Sequence, residues 1–286
     1  MTTERWQILT GDCLEILPTI PAGSIDAVIT DPPYPEIDRE YGRLSEADWF
    51  DLMRGVVRET RRILKPSGSA VFILQPNSKK IGSMRAWLWE FMAWICHEWN
   101  MVQDIWWWNT SAFPEAHAIQ GRLTRPSVKA CVWAGIPDCY RDQDNALWPE
   151  AQASKARAIQ ARVNGETERV NLPSGHGVNR AKGRDAAERR GGVTPMNLFP
   201  TSNNDGKNGS GAYGHGAGTP LKLADWWTRY IVPRGGTVLD PFVGAGTMGI
   251  AAIDNGASFI GIDKMEKYTE IARRRLEQTQ PALFGI

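Results

Sequence analysis

The sequence predicts an α/β protein: a mainly parallel sheet of seven strands with helices on both faces. Three observations carry that reading. Strand-like and helix-like runs alternate along most of the 286 residues, as they do where helices cover both faces of a parallel sheet. Several strands are apolar throughout, which suits a sheet buried on both sides. Two turn motifs, Asp31-Pro32-Pro33-Tyr34 and Gly244-Ala245-Gly246-Thr247, each follow such a strand. Open α/β sheets bind ligands at the carboxyl ends of their strands.

The elements follow in order. Trp6 to Leu9 reads as a short strand ending at Gly11-Asp12, and Ser24 to Thr30 as a second. Ser45 and Asp48 form a capping box. Behind them Trp49, Leu52, Met53, Val56, Val57, Ile63 and Leu64 recur at helical spacing. Lys65-Pro66-Ser67-Gly68 stops that helix, and Ser69 to Leu74 is apolar enough for a central strand. Lys80 to Trp99 reads as an amphipathic helix. Met101 to Trp108 and Ser127 to Ala134 are two more strands. Between Gly135 and Gly218 the rhythm fails. That stretch reads as loops, with one helix near Glu150 to Val163, either disordered or ordering on a large ligand. Regular structure returns with a helix over Leu221 to Val232 and a strand over Thr237 to Asp240. A helix over Thr247 to Asn255, a strand over Ser258 to Ile262 and a helix over Met265 to Gln278 complete the chain.

Composition bounds the function. No apolar run reaches the length of a membrane span, and the first residues do not open a signal peptide, so a cytoplasmic protein is expected. The four cysteines lack metal-site spacing, which predicts reduced, mostly buried thiols. Net charge is +1, but residues 141 to 218 hold 11 Lys+Arg against 8 Asp+Glu, and the rest 22 against 24. That tilt permits a polyanionic partner without requiring one. The 13 tryptophans suit core packing, with base stacking as the other use.

Gly244 to Gly249 matches G-x-G-x-x-G, and Asp263 follows 19 residues after Gly244. The glycines let backbone approach a ligand, and the acid accepts from ribose hydroxyls. After Asp263 only one helix remains, so the second half of a nicotinamide-binding fold is missing downstream. An adenosine ligand other than a dinucleotide is favoured. A nicotinamide-linked oxidoreductase is the reading that the turn alone would support.

In Asp31-Pro32-Pro33-Tyr34 the prolines lock their own φ and extend their predecessors. The Asp31 carboxylate and the Pro32 carbonyl then form a rigid pair of acceptors, suited to the two donors of a planar NH₂ group. Tyr34 is placed to stack on the ring that carries it. Two acceptors localise the lone pair of a nucleobase amine, which is otherwise a poor nucleophile. Such a base must be unpaired or flipped out of a duplex.

As a pair, in this order and at this separation, these motifs resemble those of the amino-group DNA methyltransferases that use S-adenosylmethionine, in their permuted beta class. The likeness covers Ile8 to Ala134 and roughly His215 to Leu276. It implies a Rossmann-like methyltransferase fold with circularly permuted motif order. It also implies methyl transfer to an exocyclic amine of double-stranded DNA. An Asp at the first motif position points to adenine N6, with cytosine N4 as the alternative. A catalytically silent nucleic-acid-binding protein of the same fold is the rival from another class.

By the same resemblance Asp31, Pro32, Pro33 and Tyr34 are the catalytic set. Asp12 and Cys13 contact the cofactor adenine. Asp240, Phe242, Gly244, Gly246 and Thr247 form the cofactor turn, and Asp263 is its ribose acid. No metal is expected. Trp107-Trp108-Asn109 resembles a family Trp-Asn element. Residues 1–134 would be the catalytic half, 135–218 an irregular target-recognition insertion and 219–286 the cofactor half. Arg180, Lys182, Arg184, Arg189 and Arg190 are phosphate contacts or a solvated loop. A homodimer and a place beside the nucleoid are implied by analogy alone. The chain departs from the pattern twice. His215 leads to Thr219-Pro220 without the usual lysine, and the strand over Ser127 to Ala134 lacks a His-Glu pair.

Overall fold

A computed structural model describes residues 5–112, 120–149, 188–203 and 218–279. Two compact units are distinguished, one formed by Met1–Arg141 with Leu198–Ile286 and one by Asp142–Asn197.

Ten strands are found among the described residues of the first unit. Eight form one sheet: β1 (Trp6–Thr10), β2 (Ile25–Thr30), β3 (Leu64–Leu74), β6 (Met101–Asn109), β7 (Val128–Gly135), β8 (Leu198–Thr201), β9 (Thr237–Asp240) and β10 (Ser258–Asp263). The other two, β4 (Ser78–Lys80) and β5 (Ser83–Met84), form a separate hairpin. The spatial order in the large sheet is β1-β10-β9-β2-β3-β7-β6-β8. Every pairing in it is parallel except the two made by β7, which runs antiparallel to both β3 and β6. The sheet is therefore mostly parallel, as the sequence predicts.

Strand β2 is buried along its whole length, and so are the last residues of β3. Successive side chains point to opposite faces. Val28, Ala70, Phe72 and Val132 join a core with the short α1 (Cys13–Ile16), α2 (Glu46–Ile63) and α3 (Trp87–Glu98). On the alternate face, Trp133 packs edge-on against Trp227 of α4 (Leu221–Ile231), with ring centroids 5.7 Å apart. Both faces are thus covered. Ser45 caps α2 as expected, its Oγ accepting from the Asp48 amide, but the Asp48 carboxylate accepts from the Ser45 hydroxyl and not from its backbone amide.

Strands β2 and β9 lie side by side. From β2 the chain continues through α2 to β3 on one side. From β9 it continues through α5 (Thr247–Asp254) to β10 on the other. This is a topological switch point, where the loops leaving two adjacent strand ends part and open a crevice.

Two expectations are corrected. The helix predicted from Lys80 begins only at Trp87. Ahead of it lies the β4–β5 hairpin, turning at Gly82 with φ +73°. An eighth strand of the large sheet, β8, lies inside the stretch read as loops. It pairs with Trp106 to Asn109 at the sheet edge. The helix near Glu150 to Val163 lies outside the described residues.

The second unit contains a short 3₁₀ turn, Asp144–Ala146, and an antiparallel bridge between Trp148 and Val193. Within it Arg190 is engaged by Asp144 at 2.7 Å and by Gln143. Arg180, Lys182 and Arg184 lie outside the described residues. No described helix is long and apolar enough to cross a membrane.

Candidate active site

The two motifs meet where the topology brings β2 and β9 together. Thr30, the last residue of β2, donates to the Asp240 carboxylate at the tip of β9 at 2.5 Å. Asp31 follows directly. One cleft of about 670 Å³ opens above these tips, lined by Asp31 to Tyr34, by Pro241 to Ala245, and by Asp12, Cys13, Thr247 and Asp263. The Asp-Pro-Pro-Tyr turn and the glycine turn therefore share a cavity. Of the candidate residues, Gly246 alone is absent from its lining.

The Asp-Pro-Pro-Tyr turn is held from several sides. The fully buried Trp49 of α2 donates its indole N–H to the Pro33 carbonyl at 2.6 Å, and Asn77 donates to the Pro35 carbonyl at 2.7 Å. Trp49 in turn packs against Trp87 and Phe91, and Trp87 stacks on Tyr34 at 6.4 Å. Among the described residues no donor takes the Pro32 carbonyl. Asp31 accepts from the Tyr34 hydroxyl on one oxygen. On the other it accepts from Thr219 at 2.8 Å and from Lys129 at 3.4 Å. Burial, with the Asp31 charge beside it, holds the Tyr34 phenol well above its usual range. It stays a neutral donor.

Both glycine amides of the turn are donated within the protein. The Gly244 amide donates to one oxygen of Asp263 at 3.0 Å, and the Met265 amide to the other at 2.8 Å. The Gly246 amide donates to the Val243 carbonyl. Gly246 has φ +79°, and a Cβ there would stand 3.0 Å from that of Ala272 in α6 (Glu266–Glu277). Its glycine is required by helix packing, not by ligand approach. Gly249 is similar, since a Cβ would fall 2.6 Å from the Phe259 ring. The buried Arg275 of α6 donates to the Ala245 carbonyl and the Thr247 hydroxyl, fastening the turn from behind.

Asp12 caps α1 through the Leu14 amide. Burial pushes the Cys13 thiol up to about 12, so it stays protonated and serves as apolar wall rather than nucleophile. Burial likewise pushes Asp240 up to about 7.

Among the described residues the cleft is strongly acidic: Asp12, Asp31, Asp38, Glu40, Asp240 and Asp263 line it, with Arg39 and Lys264 as the described cations. Sequence reading missed the loop from Ile37 to Leu44, which closes one wall and ties Glu40 to Lys267 and Tyr268. It also missed Lys129, Thr219 and Arg275. A lysine inside an otherwise apolar central strand was the one available signal.

A family model described as DNA methylase, the N6/N4 amino-methylase family, matches residues 25–274. The chain belongs to this family. Among the curated relatives of this methylase is the type II methyltransferase M.PvuII of Proteus hauseri, 25% identical over 93% of this chain and 82% of its own length. M.HinfI of Haemophilus influenzae is 26% identical over 96% of this chain and 69% of its own. The DNA adenine methyltransferase YhdJ of Escherichia coli K12 is 27% identical over 96% and 83%. Solved structures share the fold. The cytosine-N4-specific PvuII DNA methyltransferase superposes with a TM-score of 0.71 at 21% identity, covering 96% of this chain and 87% of that one. A putative DNA modification methylase of Thermus thermophilus, solved with S-adenosyl-L-methionine, gives 0.59 at 20% identity, covering 97% and 95%.

Proposed function

We propose that this methylase transfers a methyl group from S-adenosylmethionine to the exocyclic amine of a base flipped out of double-stranded DNA, with adenine N6 as the target. The observation that carries the reading is the shared cleft, with a rigid amine clamp on one strand tip and a glycine turn on the next.

The residues fit a cationic adenosine cofactor. Six carboxylates against two cations suit a sulfonium with an ammonium and repel a pyrophosphate. The amides of Gly244 and Gly246 are already donated within the protein, so they do not form a phosphate cradle. When bound, the cofactor would supply an electrophilic methyl group on a sulfonium whose leaving group is a thioether. Asp12 and Cys13 would flank its adenine, Phe242 would cover an apolar face, and Asp263 would accept from the ribose. A carboxylate accepts up to about four hydrogen bonds, so the two backbone amides on Asp263 do not exhaust it.

Asp31 and the Pro32 carbonyl take the two amine hydrogens and turn the nitrogen lone pair toward the methyl. Tyr34 stacks on the base. The hydrogen lost from nitrogen leaves as a proton toward the Asp31 carboxylate. No strong base is needed, because positioning and fixed dipoles supply most of the rate. Recognition of the DNA sequence is assigned to 135–218. A DNA substrate supports a cytoplasmic protein working beside the nucleoid.

Methylating DNA with labelled cofactor, digesting it and weighing the nucleosides tests this reading. N6-methyladenine is expected. N4-methylcytosine alone would move the target to the other amine. No methylated nucleoside, together with tight NAD binding, would overturn the assignment.

A further inference from the structure

Lys129 lies on β7, the strand between β3 and β6, and is 9% exposed. It does not line the cleft. Its ammonium stands 3.0 Å from the Tyr34 hydroxyl and 3.4 Å from the outer oxygen of Asp31. It also sits 4.8 Å over the Trp107 ring and 5.3 Å from the centroid of the Tyr34 ring. The neighbouring Cys131 thiol is buried and pushed up to about 12, so it contributes no charge. Burying an ammonium is costly unless it is paired. Here the pairing is made with the two clamp side chains and with the π face of a tryptophan fixed by its own hydrogen bond to the Thr201 carbonyl.

The connectivity of these bonds sets the role. The Tyr34 hydroxyl donates to one Asp31 oxygen and accepts from Lys129. The other Asp31 oxygen is held by Thr219 and Lys129 together. An arriving amine must take the place of the tyrosine hydroxyl on the first oxygen, because Tyr34 is needed on the face of the base. Only the Lys129 and Thr219 bonds then remain to keep the carboxylate aimed.

We propose that Lys129 is a positioning residue for methyl transfer, an ammonium behind the clamp that holds Asp31 aimed at the amine and receives the hydroxyl of Tyr34. This rests on the amine-transfer reading above. It further implies that Lys129 acts in the chemical step and not in cofactor binding, since it stands outside the cleft.

The test is single-turnover methyl transfer at saturating cofactor and DNA, per cofactor-binding site, in wild type, Lys129→Met and Lys129→Arg. Lys129→Met is expected to be slower by about 10²-fold, the usual consequence of a small misplacement of reacting groups. Its cofactor Kd should stay within about twofold, and Lys129→Arg should recover most of the rate, because it restores a donor and a charge. Combining Lys129→Met with Tyr34→Phe should cost less than the product of the two single effects, since the two side chains share a bond. Wild-type rate in Lys129→Met overturns the proposal, and so does multiplicative behaviour of the pair. A merely structural lysine would lower Tm and leave the rate per folded site intact. Should Lys129→Met not fold, Lys129→Gln, which keeps a donor without the charge, takes its place under the same criteria. A wild-type protein that moves no methyl group at all indicts the amine-transfer reading instead.

Discussion

Asp240 is a residue whose chemistry its position changes. Burial raises it from 3.8 to about 7, opposed by its bonds from Thr30 and the Phe242 amide. The unfolded chain therefore loses this proton near its ordinary value and the folded chain only near 7. Between those values the native state binds the extra proton, so stability falls as pH rises through that window. Asp240→Asn is expected to stabilise the fold by roughly 2–4 kcal/mol at about pH 8 and to change little at about pH 4, read by denaturant melts at both. A sulfonium in the same cleft favours the ionised form, so cofactor binding should tighten between about pH 6 and pH 8 in the wild type. Calorimetry in buffers of differing ionisation enthalpy should show proton release on binding, and none in Asp240→Asn. Asp263 separates from Asp31 in a different way. Asp263→Ala removes both the proposed ribose acceptor and the anchor of the Gly244 and Met265 amides. It should raise the cofactor Kd more than it lowers the maximal rate. A variant with the rate alone reduced would contradict the ribose assignment.

Helix α6 is the element that shapes the glycine turn, through Ala272 against Gly246 and Arg275 on the Ala245 carbonyl. Gly246→Ala combines a left-handed φ with a blocked Cβ. It is expected to cost about 1–3 kcal/mol of stability, seen as a lower Tm, even though the residue does not line the cleft. The G-x-G-x-x-G spacing was legible in the chain, but not the division of labour within it. Which glycine faces ligand and which faces a helix depends on where α6 packs. The hairpin at Ser78 to Met84 was misread because Ile81, Met84 and Leu88 recur three and four residues apart, as in a helix. Only the positive φ at Gly82 exposes the turn. Strand β8 was hidden by its brevity and by Pro200, which an edge strand tolerates. The apolar strands β2 and β7 and the Ser69–Leu74 part of β3 were legible because burial on both faces leaves little room for polar side chains, whereas Lys65 to Gly68, read only as a helix stop, belong to the polar start of β3. Lys129, the exception within β7, was visible as an anomaly but not as a contact, since its partners lie nearly a hundred residues earlier in the chain.

At the scale of the molecule, two segments about two hundred residues apart become one site because β2 and β9 are neighbours at the sheet's switch point. The site's charge follows from that juxtaposition, with carboxylates from β2, β9 and β10 converging on one cleft. A cationic cofactor should therefore bind less tightly as salt rises, because the screening length shrinks about threefold between roughly 50 and 500 mM. Equilibrium titrations across that range should show the loss, and NAD should bind weakly throughout. The most direct test of the central claim compares wild type with Asp31→Ala in single-turnover methyl transfer and in cofactor binding side by side. The rate should fall by roughly 10²–10³-fold or more, with the cofactor Kd nearly unchanged. An Asp31→Ala protein that methylates DNA at the wild-type rate would contradict it.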